Sequence, residues 1–222
     1  MTRDRSHVSR PNTEGPRQGR ARRAWRAAGR LAAVAALAAP LASCTVGDQT
    51  TGVSPAYLII NQLGGASGAD PGVFSGSLQS DVLTEGSIFE DPGRVIFSLA
   101  LKDPGTAESP TAPTTANFIT VTRYHVRYLR SDGRNTPGVD VPYPFDGAMT
   151  ATVGDGGATA ILTLVRIQAK VEAPLAALVA QGGQLAISTI AEVTFYGKDQ
   201  AGRQVSVTGN IGVTFADWAD PN

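Results

Sequence analysis

The chain has 222 residues, 42% of them hydrophobic and 17% charged, with a formal net charge of zero, and it is long enough for one domain or two small ones. The zero conceals a split: residues 1–43 carry nine arginines against Asp4 and Glu14, while the ten remaining basic residues face seventeen acidic ones. A net-acidic body lacks the basic face that phosphate backbones require, which argues against nucleic acid as a partner.

The arginine-rich stretch ends at Arg30, and a nine-residue apolar run, 31–39, follows before Pro40. That length suits a signal-peptide core and is too short to cross a hydrocarbon layer of about 30 Å as a helix. Leu41, Ala42 and Ser43 then place an aliphatic and two small side chains directly ahead of Cys44, the only cysteine. Small residues let the strand enter a peptidase cleft, and a thiol just after the cut accepts a lipid. Residues 1–43 therefore read as a removed lipoprotein signal, with Cys44 as the acylated N-terminus, palmitate being one such acyl chain. Arg22 and Arg23 raise twin-arginine export as the alternative to the general secretory route. The expected place is the exported side of a cell membrane or outer membrane. With no later cysteine, the body carries no disulfide and relies on its core.

Residues 44–54 are small and polar and read as a lipidated tether to a single domain over 55–222. From Pro55 the pattern is period two, broken by Gly, Pro, Asp and Asn. Strands are expected over 56–60, 78–82, 95–101, 118–130, 148–153, 158–170, 186–196 and 204–215. On the fourth, Tyr124, Val126 and Tyr128 share one face; Arg123, His125 and Arg127 share the other. The sequence Gly154-Asp155-Gly156-Gly157 is a hairpin signal, as is 198–202. Both faces of 158–170 are apolar at first, which predicts a mid-sheet position. Leu175, Leu178 and Val179 stand at helical spacing, so one short helix is expected near 172–181. About eight strands at this spacing predict an all-β, two-sheet antiparallel sandwich, with an up-and-down barrel as the alternative.

Chemistry is sparse in this pattern. His125 is the only histidine after Cys44, too few ligands for a zinc site. Glu90 and Asp91 are adjacent, and neighbours on a strand point to opposite faces, against a glycosidase pair. Gly65-Ala66-Ser67-Gly68-Ala69 lacks the spacing and the following helix of a nucleophile elbow. The turn-rich stretch after residue 130 is the candidate contact loop. It gathers Asp132, Asn135 and Asp140, which suit either tight turns or a calcium site. It also holds Tyr143 and Phe145 near prolines, a setting in which aromatics serve contact. No cofactor, no bound metal and no catalytic group is expected.

Two stretches, 124–147 (YHVRYLRSDGRNTPGVDVPYPFDG) and 191–218 (AEVTFYGKDQAGRQVSVTGNIGVTFADW), resemble a group of uncharacterised bacterial lipoproteins with an immunoglobulin-like domain. The resemblance covers most of 55–222. It implies an immunoglobulin-like sandwich and lipid anchoring, and it brings no functional residues; the cysteine pair of antibody domains is missing. The function expected is that of a lipid-anchored envelope protein whose sandwich acts as a binding or structural module, with another envelope protein as partner. The alternative is a calcium-dependent or hydrolytic cell-surface enzyme.

Overall fold

The structure, a computed structural model, describes residues 53–179, 181 and 184–218. All of these belong to one compact unit, Thr50–Asn222. The signal and Leu41, Ala42, Ser43 and Cys44 lie outside the described residues.

The regular structure of the described chain is mostly strands: β1 (Ala56–Gly65), β2 (Ser77–Asp81), β3 (Asp91–Leu101), β4 (Ile119–Leu129), β5 (Phe145–Val153), β6 (Ala158–Val165), β7 (Ala186–Asp199) and β8 (Gln204–Ala216). They form a three-stranded sheet, β1-β3-β6, and a five-stranded sheet, β2-β8-β7-β4-β5. Each sheet turns one face inward because its apolar residues recur at every second position. Val95 and Phe97 of β3 meet Val193 and Phe195 of β7 in one core, all at 0% exposure. The Phe97 and Phe195 rings join the two sheets edge to face, 5.0 Å between centroids. Within the five-stranded sheet, Tyr128 of β4 and Phe215 of β8 also meet edge to face, 5.6 Å between centroids. Among the described residues no helix is long and apolar enough to cross a membrane.

The β7–β8 hairpin forms as its sequence predicts. Asp199 accepts the backbone N–H groups of Ala201 and Arg203 at 3.0 and 2.9 Å and so holds the turn closed. Four expectations are overturned. The Gly154–Gly157 turn is tight, but it makes no hairpin: it carries the chain from β5 in one sheet to β6 in the other. Turn chemistry fixes a reversal of direction, not a pairing. Pairing goes where the apolar face is covered, and Leu162, Leu164 and Val165 are buried beside β3. β6 is in consequence an edge strand rather than mid-sheet, with Ile161 left 57% exposed.

The helix is also displaced. The sixth strand ends at Val165, and a five-residue helix, α1, spans Ile167–Val171. Pro174 disfavours helical backbone at the residue before it, and Glu172 is already extended, so α1 stops there. Leu175–Leu178 follows as a single 3-10 turn that buries both of its leucines. Finally, the sheets are not wholly antiparallel. β2 arrives from the loop 66–76 instead of through a hairpin, and it runs parallel to β8.

Candidate functional site

The loop between β4 and β5 holds the five residues singled out in sequence. Its first turn is organised by Asp132. The Arg130 guanidinium donates to both Asp132 oxygens, at 3.1 and 2.6 Å. Arg134 adds its Nε and its backbone N–H, each at 3.1 Å. These donors stabilise the charged carboxylate and hold Asp132 well below the usual carboxylate range. Asn135 Oδ1 accepts the Arg130 backbone N–H at 2.6 Å and closes the turn back onto β4.

The second half is a separate turn. Asp140 accepts the Thr136 N–H at 3.2 Å, and Gly138 N–H donates to Val141 O at 2.8 Å. Val141 is buried at 2% exposure and roots this turn in the core. Gly138 sits at φ +75°, and the Tyr143 ring lies so close over it that a Cβ there would meet the hydroxyl. Tyr143 is thus held against its own loop while 51% exposed, and Val139, next to Gly138 in sequence, is 67% exposed. Phe145 behaves differently: it is buried, stacks edge-on against Tyr124 at 6.3 Å and lies under the Arg166 guanidinium.

The structure therefore divides the five residues by role. Asp132, Asn135 and Asp140 spend their oxygens on the loop's own N–H groups and arginines. Phe145 anchors the loop. Tyr143 faces outward, joined by Val139, which sequence reasoning passed over. Among the described residues no group of three or more His, Cys, Asp or Glu side chains is placed to hold a metal ion. His125 Nδ1 lies 3.3 Å from Asp146 on the outer face of the five-stranded sheet, an oxygen it shares with Arg123. Nearby, the Arg123 guanidinium covers the Tyr196 ring at 3.8 Å, at the wall of a shallow groove of about 340 Å³ that also includes Lys198.

A second charged cluster was not foreseen. Asp91, the first residue of β3, is fully buried and accepts Lys170 Nζ and the Gly68 N–H at Oδ1, at 2.9 and 2.8 Å. Ser80 donates to Oδ2 at 2.5 Å. Burial outweighs these partners and raises the Asp91 carboxyl above its ordinary range. Tyr128, buried nearby, donates to Leu164 O at 2.7 Å, and burial likewise raises its phenol. Asp91, Lys170 and Ser80 are each exposed by 1% or less, so no substrate reaches them. Their arrangement ties the loop 66–76, β2 and α1 to β3, and that is a structural task.

Comparison with known family models, curated proteins and solved structures finds no match. The chain's own residues carry the functional case.

Proposed function

We propose that the protein is a lipid-anchored envelope component whose sandwich presents the β4–β5 loop to another envelope protein. The observation that carries this reading is the loop itself. It runs through two successive turns, each closed by its own side chains, and displays Tyr143 and Val139 on a backbone already fixed. A contact built this way avoids the ordering cost that a flexible loop meets on binding. Tyrosine is also a frequent anchor at protein interfaces.

Two further features support the wider reading. The pattern of residues 31–44 favours cleavage before Cys44 and lipid on its thiol, which puts the domain on the exported side of a cell membrane or outer membrane. Strand order favours an immunoglobulin-like sandwich. If β3, β4, β5, β6, β7 and β8 are taken as strands B, C, C′, E, F and G, the five-stranded sheet contains the G-F-C-C′ order of variable-type domains. The first strand is then split, β1 pairing in one sheet and β2 in the other. The Phe97–Phe195 contact joins the same two strands that a disulfide joins in antibodies.

The test is a membrane cross-linking capture comparing the wild type with a Tyr143→Ala/Val139→Ser double variant. The reading expects a partner recovered with the wild type and lost at least about tenfold with the variant, the loss that one anchor worth about 1.4 kcal/mol produces. Equal recovery by both would refute it. For the anchor, Cys44→Ala should leave an uncut precursor that a membrane wash releases; a processed, membrane-bound variant would end that part of the reading.

A further inference from the structure

The outer faces of the two sheets differ. The five-stranded sheet shows water a largely polar face, with cross-strand hydroxyl pairs at Thr120–Thr152, Ser188–Thr214 and Thr194–Thr208 and one exposed large aliphatic, Ile190. The three-stranded sheet has a polar pair at Ser98–Asn61 but presents more apolar side chains. Tyr57 and Ile59 of β1 and Ile161 of β6 stand 55%, 38% and 57% exposed on its outer side. Register places Ile96 of β3 between the two edge strands, opposite Gln62 on one and Thr159 on the other, so the apolar residues cross the sheet as a diagonal stripe.

Within the three strands, the charge presented outward has one sign. β1 and β6 contain no Asp, Glu, Lys, Arg or His, and in β3 only Asp91 and Arg94 are charged. Asp91 points into the core, so Arg94 alone is presented outward, paired in register with Ile161. Lys102, one residue past β3, reaches over the Tyr57 ring at 5.0 Å and marks the other end of the stripe. Of the two acids that flank β3, Glu90 accepts the Thr163 hydroxyl of β6 at 3.5 Å and Asp103 accepts the Gly105 N–H of its own loop at 3.0 Å. An apolar stripe with a cation at each end, on an otherwise acidic body, matches an anionic lipid surface better than it matches a second acidic copy.

The chain's connection points the same way. Ser54 is already buried and receives the Ala56 N–H at 3.2 Å, so at most nine residues, 45–53, separate a lipid on Cys44 from the folded domain. Nine residues extend about 30 Å at most. They lead directly into β1, which carries Tyr57 and Ile59 and is an edge of this sheet. A domain held so close meets the bilayer at high effective concentration, so a small stripe suffices where a free protein would need a large one.

We infer that the outer face of the β1-β3-β6 sheet rests on the lipid surface to which the chain is anchored, leaving the polar sheet turned away from it. This rests on the lipoprotein reading above. The test uses the full lipidated protein in vesicles of phosphatidylethanolamine and phosphatidylglycerol. Lipid occupies the Cys44 thiol, so Ile161→Cys and Thr208→Cys each offer one site for an environment-sensitive fluorophore. Spin-labelled headgroups should quench the probe at 161 several-fold more than the probe at 208, and Tyr57→Ser/Ile59→Ser should erase the difference. Equal quenching of a protein that floats with the vesicles overturns the inference and spares the anchor. Shielding of the probe at 161 that depends on protein density, without quenching by lipid, assigns the face to a second copy and also overturns it. A protein that neither floats nor carries the mass of a lipid overturns the anchor, and this inference with it.

Discussion

Asp91 and Asp132 both face cationic side chains, and their surroundings treat them in opposite ways. Asp132 lies on the surface, where water already solvates its charge; two arginines and a backbone N–H add to that and depress its titration. Asp91 has Lys170, Ser80 and Gly68 around it, an equally complete set of donors, yet its titration rises because burial removes more than the donors restore. A hydrogen-bond inventory alone would rank the two sites together. Solvent decides between them, and it also sets what each can do: the buried cluster welds segments of the fold, and the exposed one shapes a loop that a partner can reach.

The largest effect expected from this contrast lies at Lys170. Lys170→Met leaves the Asp91 carboxylate buried without its cation and should cost about 3–5 kcal/mol, read from urea unfolding. Asp91→Leu in the same background should return only part of that, since the Ser80 hydroxyl and the Gly68 N–H would still lack an acceptor. Full recovery would mean that the pair adds nothing beyond its own charges. A cost below about 1 kcal/mol for Lys170→Met is the range of an exposed pair, and would erase the distinction between the two sites.

Gly68 sharpens the same point from the backbone. A Cβ at this position would meet the Glu90 carbonyl oxygen at 2.3 Å and Phe89 Cβ at 2.4 Å, so the loop approaches β3 on condition that no side chain intervenes. Gly68→Ala should push the loop outward, stretch the 2.8 Å bond to Asp91 and cost about 1–3 kcal/mol in the same unfolding assay. An unchanged midpoint would mean that the loop contributes nothing to the cluster.

The two clusters were not equally legible in the sequence. Asp132, Gly133 and Asn135 announce a turn through local chemistry, since short polar side chains and a positive-φ glycine act within a few residues. The buried cluster joins residues 68, 80, 91 and 170, and the Asp91–Lys170 link alone spans 79 positions. Nothing near Asp91 marks it, because Asp91-Pro92-Gly93 has the composition of a turn and instead opens β3 at a register shift. Lys170 read as the end of a strand because the alternation of β6 continues into Ile167, while Pro174, the residue that limits the helix, comes later. The same limit explains the β5–β6 turn. Four residues fixed the reversal, but the choice of sheet depended on β3, more than sixty positions earlier. Alternation, by contrast, is repeated along every strand, and it was enough to predict an all-β core, with two packed sheets favoured over a barrel. In the candidate loop, alternation could not separate Phe145 from Tyr143, which stand two apart; what divides them is that Phe145 begins β5 and Tyr143 precedes it in the loop.

Protonation should divide the two aspartates in opposite directions. For Asp132 the native titration lies below that of the unfolded chain, so its contribution is present above the ordinary carboxylate value and disappears as pH falls through the native one. For Asp91 the native titration lies above the unfolded one, so its contribution is fully present only below the ordinary value and declines as pH rises through the native one. Side-chain carboxyl carbon shifts followed by NMR should show Asp91 titrating later than a model aspartate on raising the pH, and Asp132 earlier. Coincident titrations would remove the contrast.

The smallest effect on stability is expected at Asp132, and it bears most directly on function. The side chain is exposed, and its arginine pairs are open to water and salt, so Asp132→Ala should lower the unfolding midpoint only slightly. What the substitution removes is the acceptor that aligns Arg130 and Arg134 and holds the Arg134 N–H. Amide exchange across 131–135 should accelerate, while exchange at 136 and 138–141 stays slow, because Asp140 and the buried Val141 close that turn independently. Partner capture should then fall less than with the loss of Tyr143, since the turn that carries Tyr143 would remain in place. Acceleration spreading through 138–141 would show that the two turns order each other, and Asp132 would become a determinant of the whole contact loop rather than of its first half.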